Sequence, residues 1–488
     1  MQFLTPKQKR DKSRQLFLGY GLFGLLIALA TYVMVSTALG YEIFTTKGEI
    51  VQNGLLFVDS KPTGADIYVN GEKESSGTNA KLSLPEGTYE IKLQKKGFRE
   101  WSQDVDLFGG SVEFLTYPRL LPSVINKLSS TSYAGMENTV LQSRDNRWLV
   151  QYSLTDPLML HLHDIDNPTA DVSAINIPPS LVGESQIVSF ELVEWAGDNV
   201  HFLVRINLSN STSRLTIFNR EKLDEIFDAS TTLGLVGNTQ ANFWDGKWDQ
   251  LVLVDTGGVV RLASVKDKTI DPTPLITENV KEFFPLSDKR AVYTVINLDG
   301  TNTVRILTNE KTYRLLSYPS TDKKLLVKGG GFNRNDYLIL SGGGLEKALL
   351  YRNIFDLISK PTVEKVSPFV TMPVNASTIG FSRSNRFVLA SNNSDSAVYD
   401  IEQKELIKYK NPVQDVSTIG WFDDSRLFGL AKDRSVSIYD FNGNNLYEMT
   451  QNSSSIPYVN QSIEKVANIQ NNSGSQVLQI LDIISESK

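Results

Sequence analysis

The chain has 488 residues, 41% hydrophobic and 21% charged, and a net charge of −6. This is the composition of a folded protein, long enough for about three domains, and its acidic balance argues against a general nucleic-acid binder, which would carry a basic stripe. There is no cysteine and there are three histidines, which excludes disulfides, thiolate zinc sites and a cysteine nucleophile, supplies imidazole chemistry poorly, and agrees with an exported bacterial protein that does without disulfides.

The first element is an apolar helix. Lys7, Lys9, Arg10, Lys12 and Arg14 face a single acid, Asp11, and the run from Leu16 to Leu39 then carries no charge. A spanning helix needs ~20 such residues, and the basic flank assigns its own side to the cytoplasm. The expected layout is a cytoplasmic basic tail at 1–14, a transmembrane signal anchor at 15–40 and a spacer at 41–51. The competing reading is a signal peptide cleaved after Ser36-Thr37-Ala38, but the apolar core of such a peptide is roughly 7–15 residues, shorter than this run. A buried soluble helix is excluded because no polar face interrupts the run. Either surviving reading exports the remainder of the chain.

Residues 52–120 read as short strands. Leu55 and Phe57, Ile67 and Val69, Leu82 and Leu84, Tyr89, Ile91 and Leu93, Val105 and Leu107, and Val112 and Phe114 alternate with other residues, as in half-buried strands. Turn signals fall between them: Pro62-Thr63-Gly64, Asn70-Gly71, Pro85-Glu86-Gly87 and Gly109-Gly110. The expectation is six or seven strands in a small antiparallel β-sandwich. A phosphate-binding role for these glycines is disfavoured, because no helix is expected to follow any of the turns.

The order Ser-x-Pro-x-Gly-Ala-x-Ile-x-Val-Asn-Gly, then Leu-Pro-Glu-Gly-Thr-Tyr-x-Ile-x-Leu, then Lys-Gly-Phe-x-x-Trp resembles the PEGA domain, with Thr88 where that family has Ala. The resemblance implies a non-catalytic module of bacterial and archaeal surface proteins, which suits an anchored chain.

Residues 125–488 repeat. Ser377 and Ser417, Ile379 and Ile419, Gly380 and Gly420, Phe381 and Trp421, Arg386 and Arg426, and Tyr399-Asp400 and Tyr439-Asp440 each sit 40 apart. A fixed period of strand-like segments points to a β-propeller. The unit is an aromatic residue, a turn of Asp, Asn, Ser or Gly, and an apolar run. It recurs at Trp195, Trp244, Phe284, Phe332, Phe381 and Trp421, and without its aromatic at Gln142. That predicts about seven blades, or eight if the tail from Ile456 to Ile484 adds one. The unit resembles the repeats of TolB-type propellers, although most of that family's Pro and Gly are missing. One or two helical turns are expected at Glu221–Phe227, and a strand at Ala348–Tyr351.

Catalytic signals are sparse. His161 and His163 point to one face of a strand, beside Asp164 and Asp166; an exposed strand face accounts for them better than a metal site. Asp423-Asp424 suits a turn better than acid–base chemistry. The aromatics of the repeat suit packing between blades. No residue is assigned a catalytic, cofactor-binding or metal-ligating role, and no cofactor is expected. The fold class is mainly β: a transmembrane helix, a small antiparallel β-sandwich at 52–120 and a β-propeller at 125–488. The expected function is that of a non-enzymatic, membrane-anchored scaffold of the bacterial cell envelope, single-pass with its N-terminus cytoplasmic. Its partners would be the membrane and an envelope protein or cell-wall polysaccharide, not nucleic acid. The alternatives are an extracellular propeller enzyme, carbohydrate-active or peptidase-like, whose acids come from separate blades, and a sensor or assembly partner.

Overall fold

The computed structural model describes residues 6–38, 40–42, 51–235, 239–308, 311–360, 366–460, 462, 464–472 and 475–483. Two compact units divide the chain, Met1–Val124 and Ile125–Lys488.

The first unit opens with α1 (Pro6–Ala38). Its segment Leu16–Thr37 has a mean hydropathy of 2.0 and is long and apolar enough to cross a membrane. The hydroxyls of Thr31 and Thr37 donate to the carbonyls of Ile27 and Val33, both at 2.8 Å, so they add no unpaired polar group to the helix surface. The helix stops at Gly40, in the left-handed region at φ +84°, where a side chain would be strained.

Eight strands follow: β1 (Tyr41–Glu42), β2 (Val51–Val58), β3 (Asp66–Val69), β4 (Glu72–Gly77), β5 (Ala80–Pro85), β6 (Gly87–Gln94), β7 (Trp101–Leu107) and β8 (Val112–Leu115). One sheet has the order β4-β3-β6-β7; the other has β1-β2-β5, with β8 beside β2. Asn70 and Gly71 both take positive φ in the β3–β4 hairpin, as a tight primed turn requires. The pairs are antiparallel with one exception: β8 runs parallel to β2. The core joins Leu56, Val58, Ile67, Leu82, Ile91, Leu93, Trp101 and Leu107. In β2 the buried residues are therefore Leu56 and Val58. Leu55 and Phe57, which the alternation had marked for the core, lie half-buried on the outer face, in register with exposed Val112 and Phe114.

The described residues of the second unit form eight four-stranded antiparallel sheets. These begin at Met136, Ile187, Gln240, Val280, Leu325, Thr378, Val416 and Tyr458. In the first seven, each strand pairs with the next in the chain, and each of these sheets contains one of the seven sequence units. The eighth takes three strands from the tail and its outer strand from β9 (Asn126–Thr131), which pairs antiparallel to Ser475–Asp482 with Thr131 opposite Leu478. The apolar cores lie between sheets. Phe190, Trp195 and Phe202 of the second sheet pack with Val150 and Leu160 of the first, and Leu149 of the first packs with Tyr458, Ile469 and Leu478 of the eighth. The unit is a β-propeller, closed by a strand from its N-terminal side.

One local expectation differs from the structure, and a second is met with an addition. Glu221–Phe227 is not helical: Ile226–Asp228 pairs with Thr216–Phe218, and the helical turn comes later, at Ala229–Thr232. The reason is the cap, since Asp228 accepts the Thr231 N–H at 3.0 Å. Ala348–Arg352 is the expected strand, but a short helix, Ile354–Ser359, follows it.

Candidate binding groove

The sheets of the propeller are tied by the aromatic residues of the repeat. The indole N–H of Trp195 donates to the Leu141 carbonyl of the first sheet at 3.2 Å. Trp244 of the third sheet lies 6.4 Å, ring to ring, from Phe283 of the fourth. Phe381 of the sixth sheet fits over Gly330 of the fifth, where an added Cβ would sit 2.9 Å from the ring. Trp421 of the seventh fits over Gly380 of the sixth in the same way, at 3.4 Å. Carboxylates add further ties. Glu194 accepts the Phe243 N–H of the next sheet at 2.5 Å and Glu282 accepts the Leu325 N–H of the next at 3.2 Å. Burial raises both carboxyls above their ordinary range.

This regular packing is interrupted at the edge of the third sheet. Its outer strand, Thr269–Ile270, has only two residues. Asp271 N–H still donates to Leu262 at 2.8 Å, but the chain then leaves the edge and returns where Leu275 N–H donates to Val260 at 2.8 Å. Pro272 and Pro274 stand between these points, and proline has no N–H for the ladder. The Asp271 carboxylate accepts the Thr273 N–H at 2.9 Å and holds the detour in a turn. The result is a groove of about 870 Å³ between the third and fourth sheets. Trp244, Leu262, Leu275 and Leu307 supply its apolar surface; Gln250, Asp271 and Lys289 supply polar and charged groups of both signs. Apolar surface with a few polar groups is the usual make-up of a binding cleft. The repeat pattern drew attention to Trp244 only as a packing residue. The signal that marks the groove is the sequence Asp-Pro-Thr-Pro at 271–274, which falls where an outer strand should run.

The sequence candidates for chemistry are engaged in structure. His161 and His163 share a face, as expected, but that face is not solvent: Tyr133 stacks on His161 with ring centroids 3.9 Å apart, and His163 is buried. Asp164 pairs with Arg147 at 2.6 Å, and Asp166 accepts the Asn460 amide of the eighth sheet at 2.7 Å. Among the described residues no three His, Cys, Asp or Glu side chains are grouped to hold a metal. Asp423 and Asp424 diverge. Asp423 is buried against Arg426, 2.6 Å away, while Asp424 accepts the Ser384 N–H of the sixth sheet at 2.6 Å.

Residues 53–117 match the PEGA domain family. Among curated proteins, none matches the chain. Solved structures similar to it include the C-terminal WD40 domain of Sif2, with TM-score 0.47 and 11% identity over 74% of this chain and 99% of that one. Two others are the computationally designed Ika8 protein (TM-score 0.45, 10% identity, 73% and 99% covered) and the Dos1 propeller (TM-score 0.43, 12% identity, 73% and 95% covered). The propeller architecture itself is carried by the order of the sheets described above.

Proposed function

We propose that this protein is a membrane-anchored binding scaffold of the bacterial cell envelope. In this reading α1 spans the membrane with the basic tail cytoplasmic, the PEGA sandwich at 52–120 follows outside, and the propeller at 125–488 receives a partner. The role is non-catalytic, and it is supported by the commitment of the candidate acids to ties within the propeller. The observation that carries the reading is the groove between the third and fourth sheets, where the outer strand is cut to two residues. Its buried apolar surface suits a protein segment better than a polysaccharide, which favours exposed aromatic platforms; Trp244 is only 3% exposed.

The test uses the full chain in lipid nanodiscs, offered separately to solubilised envelope proteins and to purified cell wall. Leu275→Glu places a charge in the groove at a half-buried position; because Leu275 packs against the core shared by the third and fourth sheets, capture is compared at a temperature where both proteins are folded. We expect a protein partner whose capture weakens at least about tenfold in this variant, equivalent to about 1.4 kcal/mol, at a temperature where circular dichroism shows the variant as folded as the wild type. Retention on cell wall alone, indifferent to Leu275→Glu, would assign binding to polysaccharide and remove the groove from it.

A further inference from the structure

The pole of the β-sandwich that meets α1 carries an exposed aromatic turn. Asn53 N–H donates to the Gly40 carbonyl at 2.7 Å, and β1 pairs with the start of β2. The turn between β7 and β8 takes the adjoining stretch of the same β2 edge. Gly110 N–H donates to the Asn53 carbonyl at 3.0 Å, and Leu55 N–H to the Ser111 carbonyl at 2.9 Å. A strand residue points its N–H and C=O to one edge, so Gly40 and Gly110 meet Asn53 side by side. The turn thus stands against the residue that ends the helix.

The tip of this turn is Phe108, 62% exposed. Core packing does not account for it, because the core reaches Leu107, 1% exposed, and stops there. The tip is held in place. Ser111 N–H donates to the Phe108 carbonyl at 3.0 Å, and Glu86 of the Pro85-Glu86-Gly87 turn accepts the Gly109 N–H at 3.3 Å. Gly54 lets the strand pass, since a Cβ there would lie 2.6 Å from the Phe108 carbonyl oxygen. The apolar segment of α1 ends at Thr37, and Tyr41, 37% exposed, follows directly. Tyr and Trp gather at the boundary between lipid and water, and an exposed Phe ring adds apolar area that can be buried there.

We propose that the Phe108–Ser111 turn seats on the lipid surface, with the rings of Phe108 and Tyr41 inserted at the interface. The Pro-Glu-Gly pole of the sandwich is then held against the bilayer, and the domain does not swing on a free tether. This rests on reading α1 as a membrane span.

The chain has no cysteine, so single labels are direct. Phe108→Cys, Lys96→Cys and Leu25→Cys are made in the full chain, labelled with an environment-sensitive fluorophore and reconstituted in vesicles of phosphatidylcholine and phosphatidylglycerol. Lys96 is exposed in the Lys95–Phe98 turn, at the opposite pole. The expected result is a label at 25 quenched by a nitroxide deep in the acyl chains. The label at 108 is blue-shifted and quenched by a nitroxide near the headgroups, several-fold more than the label at 96. A label at 108 that aqueous iodide reaches as readily as the label at 96, with the label at 25 still quenched from the acyl chains, overturns the seat and leaves the anchor standing. A label at 25 reached by iodide overturns both.

Discussion

Burial removes His163 from ordinary imidazole chemistry. Its side chain lies between the first and eighth sheets, and burial, reinforced by the nearby His161, pushes its pKa down to about 3. His161 is also lowered by burial, with Asp156 opposing. An unfolded histidine titrates near ~6.5. Below that pH the unfolded chain takes up a proton that folded His163 refuses, so stability is complete above ~6.5 and falls as the pH drops toward 3. The loss is ~1.4 kcal/mol per pH unit, or ~2 kcal/mol by pH 5. Urea unfolding of the wild type and His163→Leu at pH 7 and pH 5 checks this: the wild type should lose about 2 kcal/mol more than the variant between the two, and equal losses would remove His163 as the cause. At this scale the sequence shows which residues are neighbours and not what lies across from them. The shared face of His161 and His163 follows from strand period alone. That the face is covered depends on Tyr133, which reaches it from the chain that crosses between β9 and the first sheet. Asp423 and Asp424 look paired in sequence, yet an extended backbone sends one to its own turn and the other to the sixth sheet.

Single elements were legible where period and turn chemistry agreed. β3, β6 and the Asn70-Gly71 hairpin lie where the alternation places them. β2 does not present the expected face, since Leu55-Leu56-Phe57-Val58 is apolar on both sides and a one-residue change of phase exchanges core and surface. Packing of Leu56 and Val58 with Ile67, Ile91 and Leu107 of the sandwich marks the buried face, and no local pattern announces the parallel pair with β8. The glycines of the inner strands show the opposite case, a residue type whose purpose is set entirely by the next sheet. Gly330→Ala should bring its new methyl against the Phe381 ring, with a closest approach of 2.9 Å, and lower stability by about 1–3 kcal/mol through overpacking. Chemical denaturation measures this directly; a variant as stable as the wild type would mean that the ring slides aside without cost.

For the whole propeller, the period near 40 revealed the architecture because each unit buries its apolar face only against the next. The eighth sheet was the hardest part to read. One of its strands comes from the far end of the repeat, so the tail alone never completes a unit. Its hydrogen bonds make the ring a single cooperative body. Amides of β9 should therefore exchange with solvent as slowly as those of Ser475–Asp482, in one concerted opening measured by hydrogen exchange. Fast exchange confined to β9 would show a ring that stands without its closure. The same closure sets the order of events when the chain is made. β9 emerges early, and its partner strand is among the last residues to follow. Until then one sheet edge stands unpaired, open to other chains. If the chain is exported as proposed, that interval spans translocation, and the open edge faces the far side of the membrane until Ser475–Asp482 arrives.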